Sequence, residues 1–118
     1  MEIRLVGNGE SLSLAELQEL AKATFGDMVK IVVDIGRKNM AVGGELHSDA
    51  EALLLEDGSR PEDLWGANIF PFKEGGDRIE YQSLINIRPR QSNRGMEIED
   101  ETTRQKVRET VKMLCPEI

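Results

Sequence analysis

The chain has 118 residues, 39% of them hydrophobic and 31% charged, with one Trp, one Tyr and three Phe. That composition predicts a single globular domain over residues 1–118 with a mostly aliphatic core, and excludes a disordered chain. A formal charge of −7 and an isoelectric point near 4.8 disfavour nucleic acid and anionic membranes as partners, because both reward a basic face.

Taken in chain order, "EIRLVGNGE" alternates Ile3 and Leu5 with polar residues and breaks at Gly7-Asn8-Gly9, which predicts a short strand and a turn. It is not a dinucleotide loop, because Leu12 stands where the third glycine of G-x-G-x-x-G belongs. In "SLSLAELQELAKATFGD", Ser13 with Glu16 makes a capping box and Leu12 with Leu17 a hydrophobic staple. Leu17, Leu20, Ala21 and Thr24 form one helical stripe, and Gly26 suits the stop. "MVKIVVDI", a "GRKN" turn and "MAVGGEL" predict a hairpin, with Gly43 and Gly44 marking a bulge or a close backbone approach.

Ser48 with Glu51 reads as a second capping box, opening a helix through Ala50, Leu53 and Leu54 that stops at Gly58. "SRPEDL" predicts a short helical turn started by Pro61. "WGANIFPF" predicts a strand ended by Pro71, and "KEGGD" a hairpin loop. "RIEYQSLINIRP" is the clearest strand pattern, with Ile79, Tyr81, Ser83, Ile85 and Ile87 on a core face and Glu80, Gln82, Leu84, Asn86 and Arg88 opposite. "RQSNRGMEIE" has no period and predicts a loop. Asp100 caps a last helix in which Val107, Val111 and Leu114 share a face and Pro116 is the end. The order β-α-β-β-α-β-β-α with short hairpin loops predicts an α+β two-layer sandwich: a mainly antiparallel sheet of about four to five strands with its helices on one face.

Chemistry concentrates in two places. "HSDAE" holds the only histidine: His47, Asp49 and Glu51 lie at spacing two. On a strand all three would share a face and suit a divalent metal such as Mn²⁺, Fe²⁺ or Zn²⁺, with positions open to water. On a helix, His47 meets Glu51 while Asp49 faces away, and both carboxylates become ordinary first-turn residues. The capping box favours the helix. His47 and Glu51 are the candidate catalytic residues, as base or metal ligand. "INIRPRQSNRG" then places Arg88, Arg90 and Arg94 within seven residues, a local reversal of sign suited to carboxylate or phosphate. The plainer reading pairs these arginines with the acidic stretch between Glu45 and Asp63.

Asn68 and Asn86 interrupt otherwise strong strands, which points to required hydrogen bonds with a loop backbone or a ligand. Trp65 is expected as a core plug with its N–H satisfied, and Tyr81 is expected to find a partner for its hydroxyl. Cys115, the lone cysteine, can form no intrachain disulfide and has no histidine in a partner motif, so it is expected to pack. The N-terminus lacks an apolar signal core and no run reaches the roughly 18 apolar residues of a membrane span, which makes the cytoplasm the expected location.

"ELHSDAEALLLEDGS", "LWGANIFP" and "SLINIRPRQSNR", in that order, resemble a family of small prokaryotic proteins known only as a domain of unknown function. The resemblance covers roughly residues 13 to 114 and brings no activity, substrate or cofactor. It implies a family pattern at His47, Asp49, Glu51, Gly58, Ser59, Trp65, Gly66, Asn68, Asn86, Arg88, Pro89, Asn93 and Arg94. Its Gly and Pro positions suit backbone devices, and the polar remainder resembles a site.

Three functional classes follow, the weakest being nucleic-acid binding through the Arg88–Arg94 loop, which the charge balance disfavours. In one, Asn68, Asn86, Arg88, Asn93 and Arg94 bind a small anionic, phosphate-containing molecule beside His47 and Glu51, in a ligand-binding or hydrolase-like domain with a divalent metal as the conceivable cofactor. In another, the polar residues lock loops and the chain is a non-catalytic interaction or homo-oligomerisation module that uses an unpaired strand edge.

Overall fold

The computed structural model describes residues 2–7, 9–74 and 78–118. The elements run β1 (Ile3–Val6), α1 (Leu14–Ala23), β2 (Val29–Asp34), β3 (Asn39–Gly43), α2 (His47–Glu56), β4 (Leu64–Ile69), β5 (Ile79–Glu80) and α3 (Glu101–Leu114). The five strands make one antiparallel sheet in the order β1-β3-β2-β4-β5. The α+β class and the element order are those expected from sequence. The "KEGGD" loop falls largely on Gly75–Asp77, outside the described residues. Among the described residues, no helix is long and apolar enough to cross a membrane.

The number of layers differs from expectation. Side chains alternate across a strand, and here both faces are covered. Ile31, Val33, Met40, Val42, Trp65 and Ala67 pack with Leu17 of α1 and Val107, Val111 and Leu114 of α3. Val32, Ala41 and Leu64 point the other way and pack with Ala50 and Leu54 of α2. The sheet therefore lies between α2 on one side and α1 with α3 on the other, three layers instead of two. The near-continuous burial along β2 and β3 is the mark of strands enclosed on both faces.

Local chemistry explains most boundaries. Ser13 and Glu16 form the expected capping box at α1, and Asp100 caps α3 by accepting the Thr103 N–H at 2.9 Å. Asp34, buried at the end of β2, turns the chain into β3 by accepting from the Gly36 and Arg37 N–H groups at 2.9 and 2.8 Å. Its second oxygen takes the Ser59 hydroxyl at 2.6 Å, which ties the exit of α2 to the hairpin. Gly43 and Gly44 leave β3 with φ of 110° and 84°, and a Cβ on Gly43 would stand 2.7 Å from the Glu2 carbonyl oxygen. That is the close backbone approach the glycine pair suggested.

Two expected elements change. The helix expected to start at a Ser48 cap begins at His47, with Leu46 as its N-cap and no side-chain cap. The long strand expected over 78–89 is only Ile79–Glu80. Beyond it, Tyr81 and Ser83 pair with Met96 and Ile98 (Ser83 N–H to Met96 O, 3.1 Å; Ile98 N–H to Tyr81 O, 3.0 Å). The Ser83 hydroxyl then accepts the Ile85 N–H and turns Leu84–Asn86 into one turn of 3₁₀ helix. A further turn follows at Pro89–Gln91, and Ser92 at φ 60° lets residue 93 fold back on Arg88.

Candidate functional site

The polar residues after β5 are drawn inward. Asn86 is wholly buried, and its carboxamide behaves like a peptide group of a neighbouring strand. Its Oδ1 accepts the Gly66 N–H at 2.8 Å while Nδ2 donates to the Gly66 and Met96 carbonyls, both at 3.0 Å. Asn93 Nδ2 donates to the carbonyls of Asn86, Gly95 and Glu97, and its Oδ1 accepts the Glu99 N–H at 2.9 Å. Arg88 donates to the carbonyls of Ile85, Pro61 and Leu64, lies 4.8 Å over the Trp65 ring and faces Glu51 at 3.6 Å. Burial works against the Arg88 charge, and Glu51 and Glu62 hold it in place. The loop-locking reading thus describes the contacts of Asn86, Arg88 and Asn93. Arg94 is exposed, and its backbone N–H bonds Glu99.

The residues of "HSDAE" separate. His47 is buried, with Nε2 donating to the Ala67 carbonyl at 2.8 Å, whereas Asp49 is exposed and Glu51 faces Arg88. Among the described residues, no group of three or more His, Cys, Asp or Glu side chains is placed to hold a metal ion. Burial pulls the His47 pKa below its ordinary 6.5; the Ala67 carbonyl opposes this, the Lys30 charge adds to it and Asn68 opposes it. The imidazole is therefore neutral near pH 7, with its proton on Nε2. Cys115 is buried, and its thiol is pushed up to about 12 by that burial, so it is no nucleophile at neutral pH. The Tyr81 hydroxyl accepts from Arg108 Nε at 3.1 Å, whereas Trp65 Nε1 finds no partner among the described residues.

His47 and Asn68 do share a cleft. It holds about 350 Å³ between the start of α2, the beginning of β2, the end of β4 and the 82–85 turn. Lys30, His47, Ser48, Asn68 and Gln82 supply its polar groups, and Leu46, Leu84 and Met96 its apolar ones. Lys30 and Asn68 are cross-strand partners, which sets them side by side on the α2 face of the sheet. Asn68 Nδ2 donates to Glu80 Oε1 at 2.9 Å and to the Gln82 carbonyl at 3.3 Å. Those two acceptors fix the amide orientation, and Oδ1 is left buried without a partner among the described residues. Glu51, Asn86, Arg88, Asn93 and Arg94 are not among the cleft's lining residues.

A family model described as Protein of unknown function (DUF5674) matches residues 8–114. The chain belongs to the DUF5674 family. The match takes in every residue that lines the cleft and leaves out β1. No curated protein and no solved structure matches the chain. Within this DUF5674 domain, residue type alone singled out His47 and Asn68. Lys30, Ser48, Gln82 and the apolar rim come together only through the sheet register and the turn at 84–86.

Proposed function

We propose that this DUF5674 domain binds a small anionic molecule in the cleft at the start of α2. One observation carries the reading: the chain has 22 acidic residues, yet none of the eleven described residues lining this cleft is acidic. Lys30 lines it; its ammonium lies 5.1 Å from the Phe25 ring, and none of the ion pairs among the described residues includes it. The first turn of α2 carries backbone N–H groups with no side-chain cap, and the helix dipole adds positive potential at that end. Binding is favoured over hydrolysis, because the arginines a phosphate-cleaving site would use, Arg88 and Arg94, do not line the cleft.

The test is an amide-resolved NMR titration with acetate and with inorganic phosphate, using chloride as the control for ionic strength. Saturable shifts centred on His47 and Ser48 are expected. Lys30→Gln should weaken them by about tenfold, the loss of one charge-assisted contact worth about 1.5 kcal/mol. Absence of saturation with either anion, or equal affinity in the variant, would sink the reading.

A further inference from the structure

The cleft's remaining features define its ligand more narrowly, on the reading that it takes an anion. We infer that the ligand is a small 2-hydroxy carboxylic acid with an apolar chain. Three parts of the cleft each ask for one part of that molecule.

The cationic part is modest: one lysine and one uncapped helix turn, with no arginine in the lining. A phosphate dianion offers three acceptor oxygens that suit an arginine fork, whereas one ammonium beside one helix start without a side-chain cap matches a carboxylate monoanion. The apolar part is unusually open. Leu84 is 70% exposed, Leu46 56% and Met96 42%, and all three stand on the rim of the same cleft. An inorganic or fully polar anion leaves that rim in water, whereas an aliphatic chain covers it.

The third part is Asn68. It is only 6% exposed, and its Oδ1 meets no hydrogen-bond geometry among the described residues, with the His47 ring close enough for Asn68 to hold that imidazole's pKa up. An orphan acceptor calls for a donor, and a donor on the carbon next to the carboxylate is the shortest way to supply one. A hydroxyl supplies that donor without adding a charge, whereas an ammonium would meet the Lys30 charge, which works against a second cation here, as well as the Glu80 carboxylate bonded to Asn68 Nδ2. The cleft volume of about 350 Å³ lies at the small end of ligand pockets, in keeping with a molecule of modest size.

Affinities for acetate, hexanoate, 2-hydroxyhexanoate, 2-aminohexanoate and inorganic phosphate, measured on the whole chain by the same NMR titration, test this. Lengthening acetate to hexanoate should tighten binding by about tenfold or more as the chain covers the rim. The 2-hydroxyl should tighten it several-fold again, and the 2-ammonium should not. Leu84→Ser, at an exposed position the fold does not depend on, should shrink the chain-length gain. Hexanoate no tighter than acetate overturns the inference, and so does phosphate binding best or a hydroxyl without effect. In each of those cases the anion site itself stands. If neither acetate nor phosphate saturates, the anion reading fails along with the inference.

Discussion

Removing the Asn86 carboxamide should be among the most damaging single changes in this domain. Asn86 is fully buried and serves three backbone groups: the Gly66 N–H, the Gly66 carbonyl and the Met96 carbonyl. Asn86→Ala strands all three where water is scarce, at a cost of about 1–3 kcal/mol for each group left unsatisfied, partly relieved by relaxation. A loss of about 3–5 kcal/mol is expected, a large share of the stability of a domain this size. Asn86→Asp is the sharper test. It keeps the acceptor for the Gly66 N–H but turns an oxygen toward two carbonyl oxygens at the positions where Nδ2 now donates at 3.0 Å. Near pH 7 it should be worse than Asn86→Ala. Burial beside carbonyls raises the folded-state pKa of the new carboxyl above its unfolded value, so its folded form holds a proton the unfolded form has lost. The variant should therefore be most stable below the ordinary carboxyl range and lose stability as pH rises through the raised value. Urea unfolding read by the fluorescence of Trp65, the only tryptophan and the neighbour of Gly66, measures both effects. A loss under about 1 kcal/mol for Asn86→Ala, or an aspartate variant no worse than alanine at neutral pH, would refute the stand-in role of the carboxamide.

Gly66→Ala places a Cβ over Ser83 Cβ, 2.7 Å from Ser83 Oγ and 3.1 Å from Ile85 Cγ1, and should cost about 3 kcal/mol. Ser83→Gly on top of it should return part of that in a double-mutant cycle, and strict additivity would mean the two positions do not touch. His47 is held neutral in the fold, so its unfolded form takes up a proton near pH 6.5 while the folded form does not. Stability should therefore decline as pH falls below about 6.5 toward the lowered folded value. His47→Gln, which can keep a donor for the Ala67 carbonyl without titrating, should flatten that slope in melts between pH 5 and pH 7, and an unchanged slope would assign the acid sensitivity elsewhere.

What could be read from the chain was local. The box at Ser13 and Glu16, the Asp100 cap and the turn at Pro61 involve residues within one helical turn, and the structure keeps all three. The layer count depends on a longer-range fact, that Val32 and Ala41 meet α2 while Ile31 and Met40 meet the opposite helices. The "KIVVD" run hinted at this by burying successive positions, not alternate ones. The strand pattern over 79–88 misled because Ser83 competes for the backbone and Asn86 replaces a ladder rung with its side chain, and neither shows in hydrophobic alternation. The cleft was half legible. His47 and Asn68 stand out as polar residues in apolar surroundings, but the lysine on β2 is noticed only once the register sets it beside Asn68.

The two sides of the sheet are unequally built. Against α1 and α3 lies a broad aliphatic core, while α2 is held mainly by Ala50 and Leu54 against Val32, Ala41 and Leu64. Cooperative units with less buried apolar surface detach at lower free energy than the rest of a domain. The layer that carries His47 and Ser48 therefore leans on polar ties as well: His47 to the Ala67 carbonyl, Glu51 to Arg88 and, at its exit, Ser59 to Asp34. A cleft built on it is shaped by hydrogen bonds and an ion pair as much as by core packing.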